Sequence, residues 1–165
     1  MASNLRLIRK PVRSGNHGTT NTVQLDHPLL KIHARSVGGR VTVHEVSGEV
    51  DIVTAPLLWN VLRRDAGTRS EMVIADLSGV TSFSAAGIPV LLRTANLFRT
   101  GTPRFVAVLG NGPVRRVLRT TGCLGEITVH PRLADALRGV LATGGQHRQG
   151  YLHRAAARAL PPWRG

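Results

Sequence analysis

The sequence predicts an α/β layer fold, and three observations carry that expectation. The run Met72-Val73-Ile74-Ala75-Asp76-Leu77 is almost continuously apolar and rich in β-branched residues, the pattern of a strand buried on both faces. Stretches of strand period alternate with stretches of helical period as far as Leu141. The 165 residues are 42% apolar, ordinary for one globular domain with room for loose ends. Alternation of this kind lays strands side by side, partly parallel, with helices crossing between them. The expected core is a mixed sheet of four to five strands with about four helices, mainly on one face.

Taken in order, residues 1–28 mix Gly, Asn, Ser, Thr and Arg without a sustained period, which predicts a basic, mostly disordered tail. Leu30, Ile32 and Ala34 alternate with polar neighbours and predict a half-buried strand. Gly38-Gly39 supplies a tight turn into a second strand, Val41 to Val46. Thr54-Ala55-Pro56 is a helix-start signal, since Thr caps and proline is tolerated in a first turn. Leu57, Leu58, Val61 and Leu62 then share a face, Arg63, Arg64 and Asp65 leave it, and Gly67 stops the helix. After the Met72–Leu77 strand, Ser78-Gly79 reads as a turn.

A second helix carries Ile88, Leu91, Leu92, Ala95 and Phe98, closed by Gly101 and Pro103. Pro89 is tolerated only near its beginning, which puts the start at Ala85 or Ala86. Phe105 to Leu109 predicts another buried strand. Gly112-Pro113 opens a short helix with Val114, Val117 and Leu118 inward. Ile127 to Val129 is a last short strand, and Pro131 to Leu141 an amphipathic helix. The domain is thus placed at 29–143, with a basic tail over 144–165.

Charge and composition exclude several classes. The net charge is +13, but residues 41–143 carry only +3 of it; the ends hold the rest. Basic ends suit non-specific phosphate contacts, yet the core lacks an aromatic platform for bases, so a nucleic-acid-associated protein is the lower-ranked alternative. A single cysteine, Cys123, allows no internal disulfide and fits a reducing compartment. No apolar run approaches the roughly 20 residues that span a bilayer, and no signal peptide is evident, so a cytoplasmic protein is expected. No phosphate-binding glycine loop or GxSxG elbow occurs, the acids are scattered, and the seven histidines never take metal-ligand spacing. His44 and Glu45 point to opposite faces of one strand. A small-molecule enzyme on a similar sheet therefore ranks last; neither an enzyme, a cofactor nor a metal site is expected.

The informative stretch runs from Asp76 to Ile88, where a buried strand passes through small residues into a helix start. Together with Val46 to Asp51, Thr54-Ala55-Pro56 and Gly110 to Gly122, it resembles the STAS domain (SpoIIAA-like fold) of bacterial anti-sigma factor antagonists. The resemblance implies partner switching: such an antagonist binds an anti-sigma factor, usually a serine kinase of the histidine-kinase-like ATPase type, and frees a sigma factor for transcription. It places partner contacts on Glu49, Asp51 and Thr54 and on Ser82, Ser84, Ala85, Ala86, Gly87 and Ile88. It also implies phosphorylation of a serine within Asp-Ser-Ser-Gly, but aligned on Gly87 that pattern falls on Ser84-Ala85-Ala86, and Ala86 has no hydroxyl.

Three readings are open at that position. The protein binds constitutively, which is favoured; or Ser84, Ser82 or Thr81 takes the phosphate; or control enters elsewhere. A serine just before a helix is more often a cap or loop hydrogen-bonder than a modified residue. Asp51 equally suits a turn or cap, and Asp76 suits bonding to backbone N–H groups of the next loop. A STAS regulatory module with another partner is the remaining alternative.

Overall fold

The computed structural model describes residues 8–11, 21–66, 68–100 and 104–142. Among the described residues, seven strands form one mixed sheet in sequence order: β1 (Ile8–Pro11), β2 (Asn21–Asp26), β3 (Leu30–Val37), β4 (Val41–Val50), β5 (Met72–Phe83), β6 (Arg104–Val108) and β7 (Val129–His130). The pairs from β1 to β4 are antiparallel and those from β4 to β7 parallel. Each parallel step needs a crossover. These are α1 (Ala55–Leu62), α2 (Gly87–Leu97) and α3 (Pro113–Thr120), and α4 (Leu133–Ala142) comes after β7.

Alternation along the strands divides the core in two. Ile32, Val46, Val73, Ala75, Leu77 and Ala107 face α1, α2 and α3, against Leu58, Leu62, Leu91, Val114 and Leu118. Val41, Val43, Ile74, Val106 and Val108 face the other way, where Ala136, Leu133 and Leu137 of α4 pack on them. The expected α/β layer architecture is therefore present, with three of the described helices on one face and one on the other. Among the described residues no helix is long and apolar enough to cross a membrane.

The five expected strands are β3 to β7. β1 and β2 place strand at Ile8–Pro11 and Asn21–Asp26, inside the 1–28 segment expected to be a mostly disordered tail, and the correction reaches only those residues. Gln24, Leu25 and Asp26 pair with His33, Ile32 and Lys31, and Leu25 is buried. A tight turn holds the pair: His27 and Leu30 exchange backbone hydrogen bonds, and Leu29 N–H donates to His27 Nδ1 at 3.2 Å. Proline at the end of β1 is compatible with an edge strand. Residues 144–165 lie outside the described residues, as do Gly67, Gly101 and Pro103.

A second correction concerns Ser78-Gly79, which does not turn the chain. β5 continues to Phe83, pairing Gly79 with Ser47, Val80 with Gly48, Ser82 with Glu49 and Phe83 with Val50 across two irregularities in register. At Gly79 a Cβ would lie 3.0 Å from the Val46 carbonyl oxygen, so this glycine permits close strand approach. Asp76 does bond the backbone beyond it, accepting from Ser78 N–H at 3.0 Å. At the far end of the hairpin Gly38 and Gly39 both take positive φ, the expected turn.

Asp65 also departs from expectation. It lies after α1 in a 3₁₀ turn (Arg63–Asp65) and reaches back to Nε2 of His44. His44 is 2% exposed and stands in register between Ala34 and Ala75, whose small side chains leave room for the ring. Its Nδ1 has no partner among the described residues. Asp65 thus ties the end of α1 to the middle of β4.

Removing one member of such a pair strands the other in the core, whereas replacing both with apolar groups does not. Asp65→Ala is expected to lower unfolding stability by about 1–3 kcal/mol, and adding His44→Leu to recover most of that loss. Urea unfolding of the single and double variants measures both.

Candidate functional site

The site is built where β4 and β5 end side by side. Ser84 N–H donates to the Val50 carbonyl at 2.8 Å and Thr81 Oγ1 to the Gly48 carbonyl at 3.1 Å, joining the two strand exits. Beyond β4 the chain closes into a hydrogen-bonded loop. Asp51 Oδ1 accepts from the N–H groups of Val53 and Thr54, each at 2.9 Å, while Asp51 N–H donates to Thr54 Oγ1 at 2.9 Å. The Thr54 hydroxyl hydrogen lies within reach of the Glu49 carbonyl at 2.8 Å and of Asp51 Oδ1 at 2.9 Å. The N–H of Ala55 donates to the Asp51 carbonyl. Donation by Thr54, from its backbone first and then its side chain, holds the Asp51 carboxyl below the usual aspartate range, with the Val53 N–H adding to it.

After β5, Ser84 organises the start of α2. Its Oγ accepts from Ala86 N–H at 3.3 Å and its carbonyl from Gly87 N–H at 3.0 Å. Ile88 N–H donates to the Ala85 carbonyl, and Pro89 has no N–H to offer. The first-turn donors are therefore occupied, unlike the open helix N-termini that bind phosphate. The helix begins at Gly87, one or two residues later than Pro89 alone predicted.

The nine expected contact residues do converge on this end of the sheet, with different roles. Glu49, Ser82, Ser84 and Ala85 are exposed; Asp51, Ala86 and Ile88 are half-buried. Thr54 and Gly87 are buried, which corrects their reading as contact residues. Thr54 closes the Asp51 loop; it does not cap α1 with its side chain. Gly87 lies against Phe83 and Val50, where a Cβ would come within 2.4 Å and 2.9 Å of them.

Sequence pattern alone passes over Ile52 and Val53. They are 81% and 59% exposed, at the tip of the Asp51 loop. A pattern reading assigns apolar residues to the core, and the one signal against it was their position between Asp51 and Thr54, both committed to the turn. Segments 47–57 and 80–92 contain just two charged residues, Glu49 and Asp51.

An open groove of about 470 Å³ lies elsewhere, lined by residues of β2 to β5 including His33, Glu45, Asp76 and Ser78. Two of its carboxylates are engaged: Glu45 pairs with Arg35, outside the lining, at 2.8 Å, and Asp76 accepts from the Ser78 hydroxyl at 2.6 Å.

The sequence model of the STAS domain matches residues 34–136. Among solved structures, an anti-sigma factor antagonist from Mycobacterium paratuberculosis is 29% identical with a TM-score of 0.62, covering 71% of this chain and 99% of that one. The unphosphorylated anti-sigma factor antagonist SpoIIAA, a Bacillus cell fate determinant, is 13% identical with a TM-score of 0.56, covering 67% and 96%. The murine anion transporter Solute Carrier 26 family member A9 matches over 62% of this chain and 18% of its own, at 18% identity and a TM-score of 0.53. The last two likenesses concern the fold alone. No curated protein sequence matches.

The Asp51 loop makes a pH prediction. Because the folded carboxyl titrates below its unfolded range, its contribution is complete above the unfolded pKa and is lost as pH falls through the folded one. The Val53 and Thr54 amide resonances are expected to shift together in acid, with a midpoint below the usual aspartate value, and Asp51→Asn to abolish that titration. Two-dimensional NMR against pH measures it.

Proposed function

The chain belongs to the STAS-domain family, and on that premise we propose that it acts as an anti-sigma factor antagonist, a binding module with no catalytic step of its own. In this reading it docks the joined loops after β4 and β5 onto an anti-sigma factor and so releases a sigma factor for transcription in the cytoplasm. The observation that carries the proposal is the shape of that end: a preorganised loop, Ser84 bonded to Val50, and exposed small residues, with no convergent acid–base or nucleophilic set among the described residues. The Mycobacterium paratuberculosis antagonist, similar over nearly its whole length, supports the partner class.

The partner we propose is a serine kinase of the histidine-kinase-like ATPase type. In the antagonists that this sequence resembles, its phosphate is the off-switch. A phosphoserine brings a charge of about −1.5 to −2, which repels and desolvates badly in a contact surface. Here the corresponding position is Ala86, half-buried and without a hydroxyl, so the complex persists in the presence of ATP. Ser84 is exposed, but its Oγ already serves the Ala86 amide, a structural role sufficient to explain it.

Mixing the full chain with candidate anti-sigma kinases and ATP tests this. Complex formation without phosphate incorporation is expected for the parent and equally for Ser84→Ala. Incorporation at Ser84 with subsequent release sinks the constitutive reading.

Restoring the hydroxyl gives the complementary result. Ala86→Ser is expected to accept phosphate and to lose at least about tenfold in affinity once ATP is added, a difference of about 1.4 kcal/mol. Titration calorimetry before and after phosphorylation reads the change.

A further inference from the structure

We propose that Ile52 and Val53 are the anchor of the docking surface, and that they insert into an apolar pocket of the anti-sigma factor rimmed by basic residues. The inference rests on the antagonist function and names the part of the site that supplies its affinity.

Four large apolar residues are exposed among the described residues: Leu29, Ile52, Val53 and Leu97. Three of them share one end of the sheet. Leu29 lies beside Glu49, whose N–H donates to the Leu29 carbonyl at 2.7 Å, and Ile52 and Val53 come just after β4 ends. Scattered exposed apolar residues need no explanation, but adjacent ones on a rigid turn do. The hydrogen bonds of Asp51 and Thr54 fix the backbone on both sides of Ile52, so presenting the pair to a partner costs little further ordering. Energetic anchors of interfaces enter desolvated pockets surrounded by residues that exclude water, and Ile52, the larger and more exposed of the two, is the group placed to do so here.

Charge identifies the occupant. On a chain with 22 basic residues, segments 47–57 and 80–92 carry none; their charges are Glu49, exposed, and Asp51. A complementary surface therefore has an apolar pocket with basic side chains at its edge, facing Glu49. A second copy meeting this one through the same patch is the poorer match, since Glu49 would then face the other copy's Glu49 with no basic residue in either segment.

The test uses the full chain and the anti-sigma factor that the parent binds. Ile52→Ser and the pair Ile52→Ser with Val53→Ser are compared with Leu97→Ser, a change at another exposed apolar residue, at the far end of α2. Thermal unfolding of each variant confirms that it is folded, as expected for exposed positions. Calorimetric Kd values are expected to rise at least about tenfold for Ile52→Ser, further for the pair, and less than about threefold for Leu97→Ser. Glu49→Gln is expected to slow association at low salt. A folded double variant that binds within about threefold of the parent overturns the anchor and leaves the antagonist reading intact. A parent that binds no anti-sigma factor overturns both. A parent dimer by light scattering that Ile52→Ser dissolves assigns the pair to a second copy and overturns the partner named here.

Discussion

At position 87 a Cβ would sit 2.4 Å from the Phe83 ring and 2.9 Å from a methyl of Val50, so α2 starts where it does because that residue is glycine. Val50 and Phe83 are the last residues of β4 and β5 and are paired in register. The contact therefore brings three things to one point: the exit of β4, the exit of β5, and the first turn of the helix that carries the candidate surface. Beyond Asp76, the last residue that β5 pairs with β6, the only strand paired with β5 is β4. A larger residue at 87 must push α2 away from Val50 or tilt Phe83, and either movement misplaces Ser84 relative to the Asp51 loop.

That dependence explains why the site is rigid without being buried. Its two loops are each closed by their own hydrogen bonds, Asp51 with Thr54 and Ser84 with Ala86, and are joined by one backbone bond from Ser84 to Val50. None of these bonds is individually strong, since a typical net contribution is about 0.5–1.5 kcal/mol. Acting on a short stretch of backbone, they remove conformations that a free loop would have to give up on binding. The opposite end of α1 is secured separately by Asp65 and His44.

Much of this was legible in the sequence because it is written locally. β3, β4 and β6 have period-two or continuous apolar patterns, and the helices repeat apolar residues at three and four positions. What escaped is long-range or contrary to local signals. β2 buries Leu25 by joining an edge that no local pattern announces. Ser78-Gly79 has turn composition, but the partner strand β4 shifts register and keeps β5 extended. His44 and Asp65 are 21 residues apart and meet only because α1 folds back across the sheet. At the site, the convergence of Glu49, Asp51 and Ser84 was legible; that Thr54 and Gly87 are internal, and Ile52 and Val53 external, was not. Burial of a threonine or exposure of an isoleucine depends on which hydrogen bonds the turn makes, and composition does not encode that.

The proposed loss of a covalent switch moves control to mass action. An antagonist that kinase action cannot release holds its partner in proportion to free concentration over Kd, so occupancy is set by how much of each protein exists. Under that regime affinity must come from the surface itself. Small residues such as Ala85 and Ala86 let surfaces approach closely but supply little apolar area, whereas Ile52 and Val53 supply about 1.5–3 kcal/mol each when fully buried. A site without a hydroxyl at position 86 that presents two apolar side chains on a fixed turn is physically consistent with stable binding. It is poorly suited to rapid exchange, because dissociation must re-expose that apolar surface to water.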